Sequence, residues 1–386
     1  MINEAVKQIT KELIDMRRYL HSIPELEYNE HKTCEFIASV LDKLGIEYNY
    51  VLPTGISALI RGKKGVGKTI LLRSDIDALP ITEMNNISYK SKNEGVMHAC
   101  GHDAHIAILL GTAMILKKIN YDFFGNVKLI FQPAEEGRGG ALPMIEKGVL
   151  ENPHVDCAVA LHTDPTADAG TLKYRDGAIM ASPDDFYIKL IGKGGHGAYP
   201  QKCVNPIIAA SQLIKKITES FCQNEDFTVS VCTVNSGTLN NIIPDFAEIT
   251  GTARSLNNAT RTKIERLLSE YTRECSVNNN CSYEFVFNKM YPPLINSAEI
   301  NRLVVNAAKK IPAVKKICVQ EKASMTGDDF SYIAEVVPSS YFKIGTANES
   351  IKEMLHSSTF NIDESALMIG AAVLAQTAVD FLNQQI

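Results

Sequence analysis

The sequence predicts an α/β protein in which a larger α/β domain, residues 1–182 and 294–386, is interrupted by a ferredoxin-like βαββαβ domain over 183–293. Three observations carry that reading. In the first half, short apolar runs of buried-strand type alternate with helical stripes. Between Pro183 and Pro293 the order becomes β-α-β-β-α-β, that of a ferredoxin-like unit. A chain of 386 residues also exceeds what one compact core usually holds.

Each element has its own signal. Val6, Ile9, Leu13, Met16 and Leu20 recur at three- and four-residue spacing, the stripe of an amphipathic helix that Pro24 stops. Phe36, Ile37, Val40, Leu41 and Leu44 form a second stripe, and Gly45 suits its C-cap. Residues 56–60, 70–74, 127–131 and 155–161 are the buried-strand runs, while 106–119 and 142–149 have helical spacing. In the inserted domain, strands are expected at 186–191, 227–234, 246–253 and 283–287. Helices are expected there at 206–217, with Pro206 early in the first turn, and at 260–275. The chain returns to mixed α/β and ends in a long apolar helix, Ser365–Leu382. A domain inserted in a discontinuous α/β core is the simplest account of this order.

Composition narrows the function. Apolar residues make up 45% and charged residues 22%, the mix of a folded soluble protein. A net charge of −5 leaves no basic footprint for nucleic acid. No apolar run approaches the ~20 residues of a membrane span, and residues 1–8 contain no apolar signal core. Nine cysteines are scattered without framework spacing, which favours free thiols or metal ligands in a reducing compartment. The expectation is a cytoplasmic protein with no nucleic-acid or membrane partner.

Chemistry concentrates in His98-Ala99-Cys100-Gly101-His102-Asp103-Ala104-His105, which holds three of the nine histidines, a cysteine and an aspartate. Imidazole and thiolate are the side chains that bind borderline-soft divalent ions. Downstream, Glu135 and Glu136 follow the 127–131 strand, where sites of open α/β sheets collect. A metal hydrolase needs one carboxylate to hold metal and another to take a proton from water, and adjacent residues can divide those roles. His162 is read at the end of the 155–161 strand and His356 in a loop before the last helix. Asp75 and Asp77 close the 70–74 strand, placed either to orient a metal-bound imidazole or to cap a turn.

A competing motif is Gly62-Lys63-Lys64-Gly65-Val66-Gly67-Lys68-Thr69, which fits the phosphate-binding pattern G-x-x-x-x-G-K-[ST]. That loop needs a helix N-terminus after it. An apolar run too short for a helix follows instead, so the segment reads as a hairpin loop between two strands.

With these motifs in view, the chain resembles the M20 family of metallopeptidases, and within it the amidohydrolase branch of hippurate hydrolases, N-acetyl-amino-acid deacetylases and auxin-conjugate hydrolases. The matching stretches run from Arg17-Arg18-Tyr19-Leu20-His21-Ser22-Ile23-Pro24-Glu25 to Leu355-His356. Between them lie Asp75-Ile76-Asp77-Ala78-Leu79-Pro80, the histidine cluster, Gln132-Pro133-Ala134-Glu135-Glu136-Gly137, Gly194-Gly195-His196-Gly197, Asn241-Ile242-Ile243-Pro244-Asp245 and Gly251-Thr252-Ala253-Arg254. The resemblance implies two divalent ions per subunit, zinc, manganese, cobalt or nickel, held by Cys100, His102, Glu136, His162 and His356. It implies Glu135 as general base and Asp77 as the residue orienting a ligand. It makes the inserted domain a lid and dimerisation domain, where His196 stabilises the oxyanion and Asn241 and Arg254 contact substrate. A bidentate guanidinium suits a substrate carboxylate.

Two departures bear on the pocket: Asp328 stands where relatives usually carry Glu, and Ser357-Ser358 follow His356 where His-Pro is frequent. The expected function is a homodimeric amidohydrolase that cleaves N-acyl amino acids, of N-acetyl or N-benzoyl type, with metal-activated water. The alternatives are a dipeptidase or aminoacylase-type peptidase of the same family, and a non-catalytic metal- or ligand-binding relative.

Overall fold

The computed structural model describes residues 1–222 and 224–384. In chain order its main elements are α1 (Ile2–His21), α2 (His31–Leu44), β1 (Glu47–Leu52), β2 (Gly55–Arg61), β3 (Thr69–Asp75), α3 (His102–Lys118), β4 (Asn126–Gln132), α4 (Ala141–Glu146) and β5 (Cys157–Asp168). They continue with β6 (Thr171–Tyr174), β7 (Gly177–Met180), β8 (Ser182–Ile191), β9 (Gly195–His196), α5 (Pro206–Ser220), β10 (Phe227–Ser236), β11 (Ile242–Ile243), β12 (Phe246–Ser255), α6 (Asn258–Asn278) and β13 (Ser282–Asn288). The last are β14 (Leu294–Asn296), α7 (Ala298–Ala308), β15 (Lys316–Val319), α8 (Ser331–Val336), β16 (Ser339–Ala347) and α9 (Ser365–Leu382). The chain forms two compact units: Met1–Gly177 with Ile295–Glu321 and Tyr332–Ile386, and Ala178–Leu294 with Lys322–Ser331.

The first unit is built on an eight-stranded sheet in the order β1-β2-β4-β3-β5-β16-β6-β15. Its centre, β4, β3, β5 and β16, is parallel, and β1 and β2 add antiparallel pairs at one side. Every residue of β3 is buried, as expected of a parallel strand covered on both faces. Helices α1 and α9 pack on α3. Gly111 permits the close approach of α1, since a Cβ there would lie 2.3 Å from Leu13.

Several sequence expectations are corrected here. β1 was not expected, because its run EYNYVL has no buried residue and only its pairing with β2 defines it. The strand expected at 155–161 continues to Asp168, so His162 lies inside it and not at its end. β16 keeps pairing with it as far as Ala347, beyond the point where β3 stops at Ala160. The glycine-lysine segment is not a hairpin loop, because β4 lies between β2 and β3. Its amides at Gly62, Lys63 and Lys64 donate to the carbonyls of Gly125, Tyr121 and Phe123. A Cβ on Gly62 would sit 2.1 Å from the Phe123 oxygen, so this glycine serves loop packing. Thr69 opens a strand, and the helix N-terminus that phosphate binding requires is missing. Helix α9 is also nearer to a membrane span than the sequence suggests, being 18 residues long and apolar enough to cross. It is mostly buried within the protein, as befits a core helix.

The second unit holds an antiparallel sheet in the order β10-β12-β8-β13. Helices α5 and α6 cover one face and enclose Phe186, Ile188, Leu190, Leu213, Ile249 and Leu268. Asn205 caps α5 by accepting from the Ile207 amide at 3.0 Å, and Asn257 caps α6 by accepting from Thr260 at 2.8 Å. Where the sequence suggests one insert over 183–293, this unit begins at Ala178 and takes in Lys322–Ser331. The Ser324 amide donates to the Ile179 carbonyl, and the Ala181 amide donates to that of Ser324. Such long-range pairing leaves no local sequence pattern.

Candidate metal centre

The donors gather at the carboxyl ends of the parallel strands in the first unit, where open α/β sheets place ligands. Asp75 ends β3, with Asp77 two residues on. Glu135 and Glu136 follow β4, and His162 lies where β5 outruns β3. Cys100 and His102 straddle the N-terminus of α3. The helix starts four residues before the expected 106, which puts His102 and His105 on it, and Gly101 between them and Cys100 has φ +87°. A Cβ on Gly101 would lie 2.6 Å from Thr163 Oγ1, so only glycine fits. His356 is a non-glycine residue at φ +63°, and its amide donates to the Ala99 carbonyl at 2.8 Å. Such a strained conformation persists where its surroundings over-determine it, often at functional sites.

The donor atoms converge. Cys100, His102 and His162 offer ligand atoms within 4.8 Å of one another, as do Cys100, Glu136 and His356, and also His102, Glu135 and Glu136. Cys100 Sγ lies 3.4 Å from His162 Nε2. Glu136 Oε1 lies 3.3 Å from His356 Nε2 and 3.8 Å from His102 Nε2. Zinc-type bonds of about 2.0–2.3 Å in a tetrahedral arrangement separate neighbouring ligands by roughly 3.3–3.6 Å. Buried His102 Nε2 has no hydrogen-bond partner among the described residues. Imidazole nitrogens, a carboxylate oxygen and a thiol facing one another at these distances fit divalent cations.

The second nitrogens fix the rings. His162 Nδ1 donates to the Thr163 carbonyl at 2.7 Å, which leaves Nε2 facing Cys100. His102 Nδ1 donates to the Asp77 backbone carbonyl at 2.9 Å, with the Asp77 carboxylate 3.3 Å away. Asp77 Oδ2 accepts the Glu136 amide at 3.0 Å, so one residue holds both a ring and the carboxylate turn.

The electrostatics favour a cation. Burial pushes the His162 imidazole down to about 3, so the ring is neutral. Burial also opposes charge on His102, but Asp75, Asp77 and Glu136 outweigh it and hold that ring at about 10. Burial raises the Glu136 carboxyl, yet the hydrogen bond from His356 and the charges of His102 and His356 draw it down to about 2. Burial, with Glu136 and Glu135 nearby, pushes the Cys100 thiol well up.

Two residues of the histidine cluster behave differently from a ligand. His105 Nδ1 donates to Asp75 Oδ1 at 2.6 Å, and its Nε2 accepts the Thr163 amide at 3.0 Å, so both nitrogens are engaged. Asp75 is held in turn by Arg73 at 2.6 Å. This chain from Arg73 to Thr163 positions the backbone beside His162. The spacing of His102 and His105, three apart on one helix face, is its sequence signal. His98 is buried, and burial pushes its ring down to about 3.

The remaining expected site residues belong to the second unit. Exposed His196 on β9 pairs with Ile242 of β11, and the Gly197 amide donates to the Asn241 carbonyl at 2.8 Å, which brings His196 and Asn241 together. Arg254 lies on β12, opposite Pro183 of β8 and Thr228 of β10.

Known proteins match this chain along nearly its whole length. It is 40% identical to "Thermostable carboxypeptidase 2" of Saccharolobus solfataricus over 391 residues, covering 98% of each. It is 36% identical to "N-acetylcysteine deacetylase" of Bacillus subtilis, covering 98% of this chain and 99% of that one. Among solved structures, a dinuclear metal-binding M20 peptidase of Bacillus subtilis superposes with a TM-score of 0.87 at 34% identity, covering 98% of this chain and 100% of that one. The model of peptidase family M20/M25/M40 matches residues 71–380, a span that runs from β3 into the last helix and takes in every donor described above. A convergent thiol, imidazole and carboxylate cluster on this fold is therefore accompanied by similarity over the whole chain, and the protein belongs to peptidase family M20/M25/M40.

Proposed function

We propose that this protein is a binuclear metal-dependent amidohydrolase that cleaves the non-peptide amide bond of N-acyl amino acids. The observation that carries the reading is the cluster of Cys100, His102, His162, Glu136 and His356 donors with Glu135 beside them. Those five residues would hold two divalent ions of the zinc, manganese, cobalt or nickel type. Bound ions of this kind polarise a carbonyl and acidify water.

The chain's own residues do the rest. Glu135 is buried next to Glu136 and His102, and it takes a proton from water and returns it to the leaving amine. Asp77 keeps His102 and the Glu136 turn in place. His196, Asn241 and Arg254 of the second unit carry the oxyanion and substrate-binding roles that the family resemblance gives them. Similarity to an N-acetylcysteine deacetylase supports the acyl substrate.

Similarity to a carboxypeptidase supports a second reading, in which the scissile bond is a peptide bond. A panel separates them: N-acetyl, N-benzoyl and N-succinyl amino acids against dipeptides, each with added zinc, manganese, cobalt or nickel. Metal-dependent release of the free amino acid is expected to be at least tenfold faster from an N-acyl amino acid than from any dipeptide. Faster dipeptide cleavage would transfer the assignment to a peptidase. Absence of metal-dependent cleavage would leave a non-catalytic relative.

We also propose a homodimer formed through the second unit. Among the described residues β10 stands at the edge of its sheet, and Val234, Leu239, Ile242 and Phe246 are exposed apolar residues of that unit. Light scattering on the purified chain is expected to give twice the monomer mass, and Val234→Asp is expected to shift it to the monomer. A monomeric wild type rejects the dimer.

A further inference from the structure

The loop that carries Glu135 and Glu136 closes one turn of its own, the Gly139 amide donating to the Ala134 carbonyl at 2.9 Å. It links β4 to α4 over residues 133–140, and Ala134 stands at φ +59°, a conformation that a non-glycine residue holds only under outside constraint. Beside Asp77, which accepts the Glu136 amide, three residues of one distant segment supply that constraint. Glu30, wholly buried, accepts the Ala134 amide on Oε1 at 3.0 Å. Glu27 accepts the Arg138 amide on Oε2 at 2.7 Å. The Tyr28 hydroxyl donates to the Gly139 carbonyl at 2.6 Å. The fit is close, because a Cβ on Gly137 would stand 2.0 Å from Glu27 Oε2.

The segment is itself tied to the other side of the centre. The Ala78 amide, next to Asp77, donates to the Glu25 carbonyl at 2.8 Å, and Leu26 bridges to Ala78. The Thr33 amide donates to Glu25 Oε2 at 3.0 Å, which fastens the segment to α2. One short stretch thus spans the strand end that carries Asp77 and the loop that carries the acid pair.

We propose that Glu27, Tyr28 and Glu30 form a clamp that positions Glu135 and Glu136, with Glu30 its central positioning residue. None of the three belongs to the donor cluster; each acts through the backbone of the loop. The inference rests on the roles proposed above for Glu135 and Glu136. A ligand or base displaced by a fraction of an ångström loses affinity or rate, and outer partners of metal ligands typically contribute about 10–100-fold.

The test measures zinc affinity of the metal-free protein against a chromophoric chelator, well below the melting temperature of each variant, and separately kcat and KM. Glu30→Ala is expected to weaken zinc binding about 10–100-fold and to lower kcat comparably with KM unchanged. Glu30→Gln keeps an acceptor for the Ala134 amide and is expected to restore both to within about threefold. Tyr28→Phe, which removes one hydroxyl from a partly exposed site, is expected to act in the same direction by up to about tenfold. It carries the test if the Glu30→Ala protein does not fold. Zinc affinity and kcat at the wild-type level in the folded variants, with only the melting temperature lowered, would overturn the clamp. Glu136→Ala is the control. If it leaves zinc affinity unchanged, the ligand role has failed and the clamp falls with it; if it lowers affinity while the clamp variants do not, only the clamp has failed.

Discussion

Glu135→Gln is expected to retain its metal and lose turnover by about 10²–10⁴-fold, the usual contribution of a positioned general base. The amide is nearly isosteric with the carboxylate, so the buried loop that holds Glu135 and Glu136 keeps its shape, but an amide nitrogen and oxygen cannot accept a proton at neutral pH. Glu136, whose Oε1 lies 3.3 Å from His356 and 3.8 Å from His102, is untouched, so the five proposed ligands stay in place. Metal content by elemental analysis and kcat on an N-acyl amino acid check the two halves of the expectation. Near-normal turnover with metal bound removes Glu135 from the mechanism. Loss of metal in the same variant would assign it a ligand role.

The second large effect is expected at Cys100. Its thiol is common to two of the donor groups, so Cys100→Ala should lower metal occupancy and activity together, as chelation of the wild type should. Burial and the neighbouring Glu136 and Glu135 push the metal-free thiol well up, and nearby carboxylates hold His102 at about 10, so both groups carry a proton at neutral pH. A cation must displace those protons. Metal affinity is therefore expected to rise with pH, roughly tenfold per unit for each proton displaced, and to collapse as pH falls. Zinc titration of the apo-protein in weak buffer measures the protons released. Thiol reagents should modify the apo form faster than the loaded form. Full metal stoichiometry in Cys100→Ala would make the cysteine a packing residue.

Much of this fold is legible in the residues because burial imposes period. The stripe of Val6 to Leu20, the apolar run Ile70-Leu71-Leu72 of β3 and the β-α-β-β-α-β order of the second unit each reflect one covered face or two. Strand β1, with no buried residue, carries no such signal, and it exists because β2 offers it an edge.

The same division runs through the site. Chemistry at short range is written in the chain: Cys100 and His102 flank a glycine that only the left-handed turn before α3 explains, and Glu135 and Glu136 follow a buried strand. Histidine density alone did not separate ligand-ready rings from the rest. His102 keeps an open nitrogen, His105 has both nitrogens engaged, and His98 lies buried outside the donor groups. Those differences arise from partners such as Asp75 and Thr163, which strand order brings within hydrogen-bond reach. Tertiary structure likewise decided that His162 faces Cys100 from inside a long strand, that His356 reaches Glu136, and that Glu30 meets Ala134 across 104 residues. The sequence by itself determined which residue types and local turns are present. Which donors face one another was decided by packing, because hydrogen bonds and coordination depend on distances of a few ångströms that no local period encodes.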